Sequence, residues 1–201
     1  LANISRAEAA AIFFRLLSPE IRSQNLTAVN GFSDVNAGDW YNAAVSTLAS
    51  LDILKGRTDT LFEPNAPITR AEFAAICARF DTGLHDGGSS FTDIGGHWAE
   101  AEIGRACTLG WINGYEDGTF QPNSRITRAE AMTMVNRVLQ RLPEGEDDLL
   151  PGMNTWPDNQ PGAWYYLAVQ EAANSHDFTR KNGIHEQWTQ LTADPDWAQY
   201  Q

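Results

Sequence analysis

Three short phrases put a hydroxyl, a guanidinium and a carboxylate side by side: Ile4-Ser5-Arg6-Ala7-Glu8, Ile68-Thr69-Arg70-Ala71-Glu72 and Ile126-Thr127-Arg128-Ala129-Glu130. The chemistry this set suits is non-covalent capture of an anion. A guanidinium is a planar fork that fits a carboxylate with two bonds, and a helix start offers outward amides and the positive end of a dipole. The carboxylates have another task. Ser or Thr followed three residues later by Glu is a capping box, in which the hydroxyl takes the N3 amide and the Glu reaches back to the cap amide. Glu8, Glu72 and Glu130 are therefore not read as catalytic acids. The Arg runs against helix stability, because a first-turn cation faces the positive dipole end at a cost of about 0.3–1 kcal/mol. Three in register imply a reason outside the helix: a bound anion, or an ion pair to a neighbouring unit.

The elements that must position these residues follow from periodicity. Each phrase opens an amphipathic helix with stripes Ala9, Ile12, Phe13, Leu16; Phe73, Ile76, Cys77, Phe80; and Ala131, Met134, Val135, Val138. A second helix type follows the aromatic-x-Asp phrases Phe32-Ser33-Asp34, Phe91-Thr92-Asp93 and Trp156-Pro157-Asp158, and each begins at a Trp: Trp40, Trp98 and Trp164. Asp34, Asp93 and Asp158 read as capping or loop-bonding residues. Gly- and Pro-rich bridges connect the two helix types at 55–64 and 113–122. Trp40 precedes Arg70 by 30 residues, and Trp98 precedes Arg128 by 30. The unit is helix one, bridge, capping-box helix two.

Two units are full, 32–90 and 91–142. Residues 1–31 are a helix two alone, and 156–201 a helix one with a tail whose Trp188, Leu191, Trp197 and Tyr200 predict a further helix or packed turn. An open array leaves apolar faces bare at both ends, so the N-terminal helix is expected to complete the C-terminal half in a closed ring. Segment 82–90 reads as a flexible joint, and 143–155, with four acidic residues, as an acidic linker.

Composition narrows the function. A net charge of −12 argues against nucleic acid and against docking on an anionic membrane, and no run of 18 apolar residues is present to span a bilayer. The chain lacks an initial Met and a signal-peptide pattern and starts almost on a helix cap, so it reads as a processed chain, a fragment or a trimmed chain. Cys77 and Cys107 lie on apolar stripes and read as buried thiols, with a disulfide as the alternative. With 26 acidic residues a glycosidase pair can always be imagined and carries no signal. A calcium loop starting at Asp34 fails because its twelfth position is Val45. The four His, expected on loops or the surface, show no metal spacing, and no Gly-x-Ser-x-Gly or phosphate loop occurs. No enzyme, cofactor or metal is expected.

The stretch Trp111-Ile112-Asn113-Gly114-Tyr115-Glu116-Asp117-Gly118-Thr119-Phe120-Gln121-Pro122, running into Ile126–Glu130, resembles the S-layer homology family. The resemblance covers about 1–178. It implies a mainly α fold of three pseudo-symmetric helix–loop–helix modules in a three-lobed bundle. It further implies an extracellular role, anchoring exported proteins to the bacterial cell wall or S-layer through anionic wall polysaccharides, commonly secondary polymers with pyruvyl groups. In that family the ligand lies in inter-module grooves. Carried over, this selects Arg6, Arg70 and Arg128, with Gly56, Gly114, Tyr115, Asp117 and Gly118 of the bridges.

Glycines let backbone approach a sugar, and Trp40, Trp98 and Trp164 are either core residues or platforms for a sugar ring. The first bridge lacks the Tyr and second Gly, and the terminal unit has only Thr179-Arg180-Lys181-Asn182-Gly183. The grooves are therefore expected to be unequal, the best using Gly114, Tyr115, Asp117, Gly118 and Arg128. The alternative role is a protein-interaction module that meets other surface proteins through its Trp-rich tail.

Overall fold

A computed structural model describes residues 2–80, 87, 88 and 90–200. Its elements are α1 (Arg6–Leu16), α2 (Pro19–Asn25), α3 (Asn42–Ser50), α4 (Arg70–Phe80), α5 (Glu100–Thr108), α6 (Arg128–Leu139), α7 (Tyr166–Ala173), and strands β1 (His176–Lys181) and β2 (His185–Leu191). The fold is mainly α. Most of the joint expected at 82–90 lies outside the described residues.

All three capping boxes form. Ser5, Thr69 and Thr127 each accept the amide of the Glu three residues on, while those Glu accept the three cap amides. The residue before each cap enters a closed cycle of backbone bonds: Ile4 N–H donates to Ile126 O (3.3 Å), Ile126 N–H to Ile68 O (3.1 Å) and Ile68 N–H to Ile4 O (3.1 Å). All three Ile are buried, so their polar backbone groups satisfy one another where water cannot reach. From this hub α1, α4 and α6 radiate, and Phe13 packs its ring 5.0 Å from Phe73 and 5.2 Å from Phe80.

The helix pairs differ from expectation. α1 packs against α3, α4 against α5 and α6 against α7. Each capping-box helix thus pairs with the next Trp-led helix in the chain, α1 passing over α2 to α3, and α1 is not the partner of α7. The chain ends meet instead at the hub, through Ile4 with Ile126 and through Arg128 N–H donating to Ala2 O. The Ala-rich faces explain the pairing: Ala7, Ala9, Ala10, Ala71, Ala74, Ala75 and Ala78 are all buried, allowing short, direct helix contacts.

Beyond α7 the chain forms a β-hairpin, not the helix or packed turn expected. β1 and β2 pair antiparallel, from His176 opposite Leu191 to Lys181 opposite His185, with a bulge at Asp177/Phe178. The turn holds Asn182 and Gly183 at positive φ, the conformation an Asn-Gly pair favours. Leu149, Tyr166 and Trp188 build a second small core beneath the hairpin, so the acidic segment 143–155 is packed rather than free-running. Asp148 is buried there and receives Lys181 Nζ at 3.1 Å. Cys77 and Cys107 are free thiols, Cys77 buried, with its thiol pushed up by that burial.

The three Arg are not equivalent. Arg6 and Arg70 are buried and saturated, with Nε, Nη1 and Nη2 donating to Phe62 O, Glu72 and Lys55 O for one, and to Phe120 O, Glu130 and Asn113 O for the other. Among the described residues the Arg128 side chain pairs with Glu8, at 2.7 Å, and it is 49% exposed. Removing a buried Arg strands a carboxylate and two carbonyls. Arg70→Ala is therefore expected to lose about 3–5 kcal/mol of unfolding free energy, and Arg128→Ala about 1 kcal/mol or less, measured by urea titration of the two variants.

Candidate functional site

The ion pairs form a ring: Arg6 to Glu72, Arg70 to Glu130 and Arg128 to Glu8, each at 2.7 Å. Each Glu accepts its own cap amide on one oxygen and the preceding phrase's Arg on the other. The first-turn cation therefore bridges units, and of the two readings of the Arg the ion pair is the one the structure shows. The starts of α1 and α4 are not open for an anion either. In α1 the amides of Arg6 and Ala7 donate to Ala66 O and Pro64 O, and in α4 those of Arg70 and Ala71 donate to Ser124 O and Pro122 O.

Arg6 and Arg70 each meet the bridge that follows the helix packed on their own helix, and Arg128 does not meet the bridge that precedes it in sequence. This separates Arg128 from the residues grouped with it. Gly114 and Tyr115 lie with Arg70, whose guanidinium stacks 4.7 Å from the Tyr115 ring centroid, while Tyr115 Oη donates to Glu130 at 3.0 Å. Asp117 accepts from the Thr119 amide and hydroxyl within its own turn, and Gly118 supplies a positive φ there. Neither lines a groove. Gly56 and Gly114 are fixed by packing: a Cβ would come within 2.5 Å of the Phe32 ring and 2.4 Å of the Phe91 ring, respectively. Asp34 and Asp93 bind the bridges, accepting the amides of Phe62 and Glu63, and of Phe120 and Gln121.

Two clefts among the described residues correspond in much of their lining. The first, about 550 Å³, is lined by Arg6, Lys55, Gly56, Arg57, Glu72, Arg79, Trp98 and Glu102 among others. The second, about 190 Å³, holds Arg70, Asn113, Gly114, Tyr115, Glu130, Arg137 and Trp164 in the matching places. Trp98 and Trp164 are 60% and 65% exposed, which withdraws the core reading and leaves ring faces open to a ligand. Trp40 is also exposed, against Tyr41, but lines neither groove.

Sequence reasoning missed Lys55, Arg57, Arg79 and Arg137. Its available signal was a second register, since Arg15, Arg79 and Arg137 each stand nine residues beyond the Arg of their phrase. In the first groove Arg57 Nε lies 3.5 Å from Glu72 and Arg79 Nη2 lies 3.5 Å from Glu102, while exposed Lys55 makes no ion pair among the described residues. Arg57 Nε also lies 3.4 Å from Glu63, so four cations meet three carboxylates and Lys55 is the excess positive charge, on a chain of net charge −12.

The S-layer homology domain profile matches residues 31–74 and 90–132, the two segments that carry both groove-forming bridges. The chain belongs to the S-layer homology family. It is 33% identical over 189 residues to cell surface glycoprotein 1 of Acetivibrio thermocellus, covering 88% of this chain and 8% of that one. It is 33% identical over 182 residues to the cellulosome-anchoring protein of the same organism, covering 88% and 40%. The surface-layer 125 kDa protein of Lysinibacillus sphaericus is 33% identical over 148 residues, covering 71% of this chain and 12% of that protein. The chain thus spans less than half the length of these relatives. Membership makes this S-layer homology chain a domain of the extracellular bacterial surface. No described helix is long and apolar enough to cross a membrane.

One further polar cluster lies away from the grooves. Glu171, His176 and Glu186 bring side-chain atoms within 4.8 Å of one another, but Arg141 supplies the cation there, 2.7 Å from both Glu171 and His176 Nε2. His176 is buried on β1, not on a loop or the surface.

The ring carboxylates titrate in a definite direction. Burial pushes the Glu130 carboxyl up, but the Thr127 amide and hydroxyl, with Arg70 and Tyr115, outweigh it and hold the group below its ordinary value of 4.5. For Glu8, the Ser5 amide and hydroxyl and Arg128 likewise outweigh burial. A depressed folded value gives stability that is present above 4.5 and lost as pH falls through the folded value. Unfolding midpoints in urea are therefore expected to drop from about pH 5 downward. Glu130→Gln should be less stable at neutral pH and lose less on acidification.

Proposed function

We propose that this chain is a non-catalytic anchoring domain, which holds an exported protein to the bacterial cell wall by binding anionic wall polysaccharide in its inter-lobe grooves. The observation that carries this reading is the first groove. A cleft of about 550 Å³ sets Lys55, Arg57 and Arg79 beside the open indole of Trp98. An exposed indole offers an apolar face to a pyranose ring, and Lys and Arg donors hold a carboxylate such as a pyruvyl ketal provides. Arg6 and Arg70 serve this binding indirectly, since their donors are spent on the bridges that shape the grooves.

The second groove offers Trp164, Tyr115 and Arg137 in a smaller space of about 190 Å³, with Asn113 where the first has Lys55, and it binds more weakly. In the third position Arg128 and Trp40 are open, but the hairpin stands where a bridge would follow α7. We therefore read the architecture as three lobes about the Ile4–Ile68–Ile126 hub with two complete grooves. Engagement of both along one polymer raises avidity through effective concentration.

A tail-mediated protein contact finds no support. Trp188 is buried, and Trp197 and Tyr200 pack on Arg22 with ring centroids 4.9 and 5.3 Å from its guanidinium.

Co-sedimentation with purified cell walls tests the proposal. The chain is expected to pellet with walls that retain their secondary polymer and not with stripped walls, and added salt should weaken the interaction. Arg79→Ala and Trp98→Ala should each weaken binding about 10-fold or more, a loss of ~1.4 kcal/mol, whereas Arg128→Ala should leave it within about 2-fold. Equal binding to stripped and intact walls would defeat the reading.

A further inference from the structure

The terminal hairpin is fastened by a buried charge cluster that the anchoring chemistry does not use. Glu171 of α7, His176 of β1 and Glu186 of β2 are at most 9% exposed, and Arg141, just beyond α6, reaches in from the rim. Arg141 Nε lies 2.7 Å from Glu171 and 3.7 Å from Glu186. His176 stacks on Trp188 at 4.0 Å, and the Trp188 indole donates to Glu171 at 2.8 Å. At the turn end of the hairpin Lys181 lies between Glu144 and Asp148, 3.0 and 3.1 Å away, a separate set of charges that shares no ion pair with the cluster among the described residues.

Within the cluster the count does not close: two carboxylates face one guanidinium. A buried excess charge is costly unless something neutralises it. His176 Nδ1 lies 2.7 Å from Asn174 O and donates to it, and Arg141 Nη2 lies 2.7 Å from Nε2. A guanidinium can only donate, so Nε2 accepts from Arg141 when the ring is neutral; Nε2 also lies 3.3 Å from Glu171 and 3.4 Å from Glu186, so a protonated ring can donate to either carboxylate. Glu186 Oε2 has no hydrogen-bond partner although it is buried. That orphan oxygen is where a proton would sit.

We propose that the Arg141–Glu171–His176–Glu186 cluster is a proton-operated latch: one proton, held by Glu186 and exchangeable with His176, keeps the hairpin docked on α6–α7, and its loss releases the hairpin. The direction is fixed. Burial and the neighbouring Glu171 push the Glu186 carboxyl up to about 7 from 4.5. Burial lowers His176, but its bond and charge interaction with Glu171 outweigh this and raise it. Groups whose folded values are raised favour the docked state at low pH and withdraw that support as pH rises through about 7. The latch therefore holds in mild acid and loosens in mild alkali.

Amide hydrogen exchange, expressed as protection factors, tests this with α4 amides as the internal reference. Protection at Phe178 and Trp188 is expected to fall about 10-fold or more between pH 6 and pH 8.5, with α4 unchanged. Glu186→Gln, a neutral isostere, should abolish that dependence and exceed wild-type protection at pH 8.5. An ordinary structural ion pair would instead leave this variant weaker at both pH values. PH-independent wild-type protection, or a Glu186→Gln hairpin less protected at pH 8.5, would overturn the latch. So would Zn²⁺ restoring protection at pH 8.5 with one equivalent bound, since a metal would then supply the missing charge.

Discussion

The structure depends on a carboxylate doing two things at once. Each capping-box Glu spends one oxygen on its own helix start and the other on the Arg of the preceding phrase. Local helix initiation and long-range assembly are thereby the same event. The Arg that opposes the helix dipole is compensated by a Glu from the next unit and, in two cases, by two carbonyls of a bridge. Because Arg6 and Arg70 hold the bridges that follow α3 and α5, those two bridges are pinned against the hub. The clefts beside them become grooves of defined shape.

Function follows from what this ring leaves over. The arginines most visible in the sequence are consumed by architecture. The cations one step outward, Lys55, Arg57, Arg79 and Arg137, face the clefts with the indoles of Trp98 and Trp164. The third position departs from this plan because no Gly-rich bridge follows α7. Without two bridge carbonyls to receive it, Arg128 stays half exposed, paired with Glu8 among the described residues. The hairpin that takes the bridge's place brings its own buried charges and its own small core.

Much of the fold was legible, for physical reasons that can be named. The capping boxes are local grammar and formed as read, and the period of helix types placed α1 and α3 to α7 within a few residues. The hairpin was missed because one Trp-rich stripe outweighed the Asn182-Gly183 turn signal flanked by Phe178 and Trp188. Helix pairing was misassigned because amphipathic stripes show that a face must be covered and not which helix covers it. The same gap put Arg128 with Gly114 and Tyr115, since sequence adjacency stood in for a spatial relation that runs to the next bridge. Trp40, Trp98 and Trp164 are open to solvent, although burial is the default for a Trp that opens a helix.

The central claim is a division of labour: ring arginines build the grooves, and the outer cations with Trp98 hold the ligand. The most direct measurement is an NMR titration of the arginine Nε–H and tryptophan indole N–H resonances with isolated secondary wall polymer. Saturable shifts at Arg57, Arg79 and Trp98, with Arg6 and Trp188 unmoved, are the expected result. Shifts confined to Trp40 and Arg128, or none at saturating polymer, would contradict it.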